Sequence, residues 1–190
     1  MAEGFEVRGA HEDRLDQAAE ADPKGMAGQL AVMTAILATV GAMFSYMAGA
    51  TQADAGLLKN DAAIKKTEAS DQWNFYQAKS SKQNLAELGL QLVDPARKPF
   101  FASEAKRYAA EKAQLKLAAE KLEQESAAYD ARSEAQLHQH HRWAQATTAL
   151  QIAIAMAAIA LLTRRRWLEK AVFVMSGLGL VVGALAYFHV

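Results

Sequence analysis

The chain has 190 residues, no cysteine, a formal net charge of zero and an apolar content of 52%. The missing cysteines exclude disulfides and thiolate metal sites, and the neutral balance removes any electrostatic case for nucleic acid. A mean hydropathy of -0.09 conceals the pattern: no Asp, Glu, Lys or Arg occurs between Lys24 and Asp54, between Arg142 and Arg164, or after Lys170, although these residues make up 22% of the chain. A charge near the bilayer centre costs at least about 2.5 kcal/mol. Segregation of this kind predicts an integral membrane protein with three spanning helices.

Residues 1–25 are acidic, with Glu3, Glu6, Glu12, Asp13, Asp16, Glu20 and Asp22 against Arg8, Arg14 and Lys24. Asp22-Pro23 and Gly25 break the chain before the membrane. The first apolar block, 26–50, ends in Ala48-Gly49-Ala50 and so resembles a signal-peptidase site. Its acidic approach is the opposite of the cationic segment that a signal peptide requires, and the block is read as an uncleaved anchor. It exceeds the roughly 20 residues that cross a hydrocarbon core of about 30 Å.

Residues 51–142 are rich in Ala, Gln, Glu, Lys and Leu, with both prolines of the stretch in Val93-Asp94-Pro95-Ala96-Arg97-Lys98-Pro99. Proline removes a helical donor and disfavours helix at the residue before it, so one long helix should stop near Leu92 and another begin near Ser103, the predicted N-cap. Heptad spacing predicts the facing surfaces: Leu57, Ile64, Ala78, Leu85 and Leu92 in the first arm, and Tyr108, Leu115, Leu122 and Tyr129 in the second. The arms rise about 54 and 60 Å at about 1.5 Å per residue, so the return arm reaches back to the bilayer. A continuous first span and arm makes a rod of about 100 Å, with Gly49 and Gly56 as flex points.

The remaining spans, 143–163 and 171–190, are joined by the basic turn 164–170. Arg164, Arg165, Arg166 and Lys170 place that turn in the cytoplasm by the positive-inside rule, which puts the N-terminus there and the 51–142 hairpin outside. Lys59, Lys65, Lys66, Arg132 and Arg142 argue the other way.

Glu134, His138, His140 and His141 form the one cluster that suggests site chemistry, and Glu134, His138 and His141 have metal-ligand spacing. On a helix they share a face at i, i+4 and i+7, and a closed site would need a fourth ligand from elsewhere. The simpler reading is a polar collar above the membrane entry at Trp143. His189 reads as an interface residue. Trp73, Tyr76 and Ser80 share a face, for a partner groove or, more simply, for packing between the arms. Small residues at four-residue spacing, Ala31/Ala35/Thr39, Ala149/Ala153/Ala157 and Gly179/Gly183, allow helices to approach closely, within one chain or between subunits. No ionisable group inside a span suggests coupled transport, and there is no nucleophile and base set or cofactor fingerprint.

The stretch Ala69-Ser-Asp-Gln-Trp-Asn-Phe-Tyr-Gln-Ala-Lys, with His140-His141-Arg142, Leu150-Gln-Ile-Ala-Ile and Leu162-Thr-Arg-Arg-Arg-Trp in the same order and spacing, resembles the bacterial domain-of-unknown-function 4337 family. The resemblance covers about residues 28–188 and implies a bacterial membrane protein with the same three-span layout. It brings no activity and no site residues.

The resulting expectation is an all-α membrane protein with three transmembrane helices and a long extramembrane antiparallel, coiled-coil-like hairpin between the first and second. Its partners are the lipid bilayer and further copies of itself. It is read as a non-enzymatic scaffold or assembly factor of the bacterial inner membrane, with no cofactor. A homo-oligomeric channel with a hairpin vestibule and an accessory subunit of a larger complex are the alternatives.

Overall fold

The computed structural model describes residues 25–188. The acidic N-terminal segment and His189, both singled out from the sequence, lie outside the described residues. Within them every regular element is helical: α1 (Met26–Leu92), a 3-10 turn at Pro95–Arg97, α2 (Lys98–Thr163) and α3 (Arg166–Tyr187). The protein is all-α, and each of the three long helices carries a stretch long and apolar enough to cross a membrane.

The breaks follow local chemistry. α1 stops at Leu92, and the Val93 amide donates back to Gly89 at 3.0 Å. Pro95, which has no amide to offer, opens the 3-10 turn, where it removes no needed bond. α2 then begins at Lys98, earlier than the N-cap reading of Ser103. Pro99 occupies the first helical turn, where its missing donor costs nothing, and the Ser103 hydroxyl donates to the Phe100 carbonyl at 2.8 Å inside the helix. The second break is also shorter than expected. Arg164 turns the chain with a φ of 49°, a left-handed conformation that ends helices without glycine at a small cost. α3 resumes at Arg166, so most of the basic turn forms its first residues. Neither Gly49 nor Gly56 interrupts α1.

The chain divides into two compact units, residues 54–135 and the remainder. In the first, the end of α1 and the start of α2 lie side by side and antiparallel. The Ser133 hydroxyl donates to the Ala55 carbonyl and the Ser126 hydroxyl to the Ala62 carbonyl, each at 2.8 Å. Contacts from a side chain as short as serine to a facing backbone require that the helices nearly touch. The buried residues of the seam are accordingly small: Ala55, Ala62, Ala69 and Ala86 on α1, Ala119 and Ser133 on α2.

That seam corrects the reading of the first arm. Leu57, Ile64 and Leu85 are 66%, 47% and 67% exposed, and Leu92 and Ala78 are exposed with them. The leucine phase points away from α2, because leucines between the helices would push the axes toward the wide end of the usual range of about 8–10 Å and break both serine contacts. In the second arm Tyr108, Leu115, Leu122 and Tyr129 are half-buried at the edge of the seam.

In the other unit, α1 up to Ala53, α2 from Gln136 and all of α3 pack as three helices. Leu30, Ala157, Ala160, Leu168 and Val172 form one buried cluster; Leu37, Leu150 and Ala153 form a second; Ala48, Trp143 and Ala186 form a third. Small residues admit the large ones. A Cβ on Gly179 would meet Leu150 Cδ2 at 2.6 Å, and one on Gly183 would collide with the Phe44 ring. The hydroxyls of Thr34, Thr39, Thr147, Thr148 and Ser176 bond the carbonyl four residues back, which satisfies them without a partner helix or water. The outward faces carry Val32, Ile36, Ile152, Ile159, Phe173 and Val181.

Candidate functional site

The His and Glu constellation of α2 does not assemble. Glu134, His138 and His141 are exposed, and among the described residues no group of three or more His, Asp or Glu side chains could hold a metal ion. The histidine that the fold uses is His140. It is half-buried, its Nδ1 lies 2.8 Å from the Ala48 carbonyl of α1, and its ring stands 5.5 Å from that of His141. One residue earlier, Gln139 donates to the Ala186 carbonyl of α3 at 3.3 Å. One turn later the buried Trp143 fills the space between Ala48 and Ala186 and tilts against Phe44 at 5.1 Å. The collar is therefore a clamp that joins three helices. The spacing of His140 to Trp143, one helical turn on the same face, is the sequence signal that points to it.

The second candidate is the charged surface of the 54–135 unit. Four ion pairs cross the seam, and each takes its cation from α1 and its anion from α2: Lys59 with Asp130, Lys65 with Glu125 at 3.8 Å, Lys66 with Glu123 at 3.1 Å, and Lys79 with Glu111 at 2.5 Å. The Lys79 ammonium beside it holds the Glu111 carboxyl below the usual carboxylate range, and the hydrogen bond from Lys66 does the same for Glu123. Asp130 raises Lys59, and Glu68 raises Lys65. The aromatic face read from sequence belongs to this network. Trp73 meets Tyr76 edge-on at 5.5 Å, Lys112 lies over the Tyr76 ring at 5.5 Å, and Lys79 and Arg107 approach the Tyr108 ring at 5.6 and 4.9 Å. Phe75 is exposed.

The third candidate is an apolar groove of about 650 Å³ between α1 and α3, lined by Val32, Met33, Ile36, Phe173, Gly177 and Leu180 among others. Its walls are mostly hydrocarbon; the polar side chains among them are Gln29 and Ser176, whose hydroxyl is bonded to its own helix. None of the three places combines a nucleophile, a base and an electrostatic stabiliser.

The sequence model of a domain of unknown function, DUF4337, matches residues 26–189. The chain belongs to the DUF4337 family. No curated protein and no solved structure matches it. Membership in DUF4337 assigns no activity, so the roles of the His140 clamp and of the charged helix pair rest on their geometry alone.

Proposed function

We propose that this DUF4337 member is a non-enzymatic, multi-pass protein of the bacterial inner membrane that acts as a homo-oligomeric scaffold. The supporting observation is the contrast between the two units. The three-helix unit has an apolar interior and exposes Val32, Ile36, Ile152, Phe173 and Val181, an outer surface suited to lipid and costly in water. The 54–135 unit is laced with surface ion pairs, as expected for an extramembrane coiled-coil-like hairpin. Arg164, Arg165, Arg166 and Lys170 favour a cytoplasmic position for the short connection before α3, with the hairpin on the opposite side.

A pore is the weaker reading. The buried centre of the three-helix unit is filled by Leu30, Leu37, Leu150, Ala153, Ala157 and Val172, and the hydroxyls of Thr34, Thr147, Thr148 and Ser176 are occupied by their own backbones. A conducting ring would have to be lined by the apolar outer faces.

Three measurements test the proposal. The protein should stay in the pellet on alkaline carbonate extraction and run as a defined oligomer in mass photometry from mild detergent or nanodiscs. A carbonate-soluble or strictly monomeric protein would overturn it. Because the chain has no cysteine, a single one at Ser70 should react with a membrane-impermeant maleimide in spheroplasts, and one at Lys170 should not.

A further inference from the structure

The inward-facing and outward-facing charges of the helix pair are sorted by sign. The seam consumes lysines of α1 and acids of α2. What is left on the outside of the first arm includes Asp54, Asp61 and Asp71, none of which enters an ion pair among the described residues. What is left on the second arm includes Arg132, whose guanidinium rests 5.8 Å from the Tyr129 ring, and Lys121, held only by Glu125 of its own helix at 3.9 Å. The same outer stripe of the first arm that carries the three aspartates carries Leu57, Ile64, Phe75 and Leu85, all exposed. Leu57, Ile64 and Leu85 fall in one heptad phase, with Asp71 and Ala78 at the two positions between and Phe75 in the adjacent row, the pattern of a second helix-packing seam, and this seam has no partner among the described residues. On the second arm the corresponding stripe offers Ala118, Ala128 and Ala135 beside Lys121, Glu125 and Arg132, with small side chains between the charges that bulky ones can enter.

The register decides how these two stripes can meet. The contacts Lys59 to Asp130 and Ser133 to Ala55 place Arg132 level with Leu57, between Asp54 and Asp61. Lys66 to Glu123 and Lys79 to Glu111 place Ala118 level with Asp71, within one turn of Lys121. Counted in heptad phase from the seam residues Ala55 and Ala62 on the first arm and Ser126 and Ser133 on the second, both stripes lean to the same flank of the antiparallel pair. A two-fold axis along the pair therefore sets each first arm against the second arm of the other copy, at equal height and with opposite charges adjacent. Glu125 and Lys82 are the exceptions: Glu125, one heptad from both Ala118 and Arg132, is held by Lys65 at 3.8 Å and Lys121 at 3.9 Å. Lys82 stands level with Arg107, whose guanidinium is already held by Glu104 at 2.6 Å.

We infer that the flank of the 54–135 unit bearing Leu57, Ile64, Phe75 and Leu85 is a docking surface for a second copy of this chain, the two units forming an antiparallel four-helix bundle in which Asp54 and Asp61 flank Arg132 of the partner subunit. This deepens the scaffold reading and rests on it, because insertion in one membrane is what holds two copies at equal height. The interface is isologous, so each stripe is used once in each direction. Burial of the leucines supplies affinity, while the charges fix register and exclude parallel alignment of like arms.

The full-length protein in nanodiscs loaded with more than one copy provides the test. Two tagged populations are co-expressed, one carrying Asp71→Cys and the other Lys121→Cys, and oxidised; a mixed disulfide dimer is expected. The pair Gln77→Cys and Ala113→Cys, equally level but on the opposite flank, should give none. In the reversal series, Asp54→Lys with Asp61→Lys should weaken the dimer at least roughly tenfold, since like-charge juxtaposition costs several kcal/mol, and adding Arg132→Glu should restore it. Circular dichroism checks that the helices persist. An oligomer that crosslinks on the opposite flank, or is indifferent to the reversals, overturns this interface and leaves the scaffold reading standing. A protein monomeric throughout overturns both.

Discussion

The Ser133 hydroxyl reaches the Ala55 carbonyl at 2.8 Å, and the Ser126 hydroxyl repeats the contact with Ala62 one heptad away. Two such contacts set the separation of the helices in the 54–135 unit. They also explain why alanine, not leucine, fills the seam.

Widening that seam should be costly. Ala69 is fully buried between the arms, and Ala69→Leu should destabilise the fold by about 1–3 kcal/mol through overpacking. Leu85→Ala, on the exposed leucine phase, should leave the thermal midpoint of a monomeric preparation nearly unchanged. Thermal melts followed by circular dichroism compare the two. Equal effects would contradict the assignment of the seam.

Two glycines of α3 separate packing from tolerance in the three-helix unit. Gly179→Ala brings a Cβ onto Leu150 Cδ2 at 2.6 Å and near the Ala146 carbonyl at 3.3 Å, and should cost about 1–3 kcal/mol. Gly177→Ala meets nothing within 4 Å and should be neutral or slightly stabilising, because alanine is the better helix former. Denaturant titration in micelles reads the difference.

The inter-arm ion pairs predict a stability window in pH. Glu111 and Glu123 titrate below their ordinary value of 4.5 in the folded protein, so their contribution is complete above that pH and disappears as the pH falls through the folded values. Lys59 and Lys65 titrate above 10.5, so theirs is complete below that pH and lost as the pH rises through the folded values. The melting midpoint should therefore be flat around neutrality and decline on both sides. Because the pairs are at the surface, high salt should shrink the acid-side loss. A midpoint that rises on acidification would contradict the assignment.

The clamp predicts an order among the histidines. His140→Ala removes the bond to the Ala48 carbonyl and should cost about 1 kcal/mol, the usual net value of a hydrogen bond. His138→Ala and His141→Ala remove exposed side chains and should be near neutral. Elemental analysis of the protein purified without chelator should find no stoichiometric metal that His138→Ala abolishes. Stoichiometric zinc or iron would revive the Glu134, His138 and His141 site.

The helix ends show what local chemistry can announce. Pro95 ends α1 at Leu92 because the missing amide and the ring act on their immediate neighbours. Lys98 and Arg166 begin helices earlier than the sequence suggests, since Pro99 is tolerated in a first turn and Arg164 alone can reverse the chain through a φ of 49°. The heptads show the opposite case. A seven-residue repeat was legible in both arms, but Leu57, Ile64 and Leu85 looked like the stronger seam. Hydrophobicity ranks a stripe by how much it gains from burial. It does not say against which helix the burial takes place, and here the distance set by two serines gave the inner face to Ala55, Ala62 and Ala69.

The order of residues along the chain by itself determined that the chain is helical, that its charges are excluded from three apolar stretches and that it belongs to DUF4337, because these depend on residue type and order along one dimension. Only the tertiary structure decided which histidine is held, which stripe of the first arm is left outward and which signs of charge remain unpaired there. Those depend on the rotation of each helix about its axis, which is set by contacts between residues far apart in the chain, such as Ser133 with Ala55 and Gly179 with Leu150.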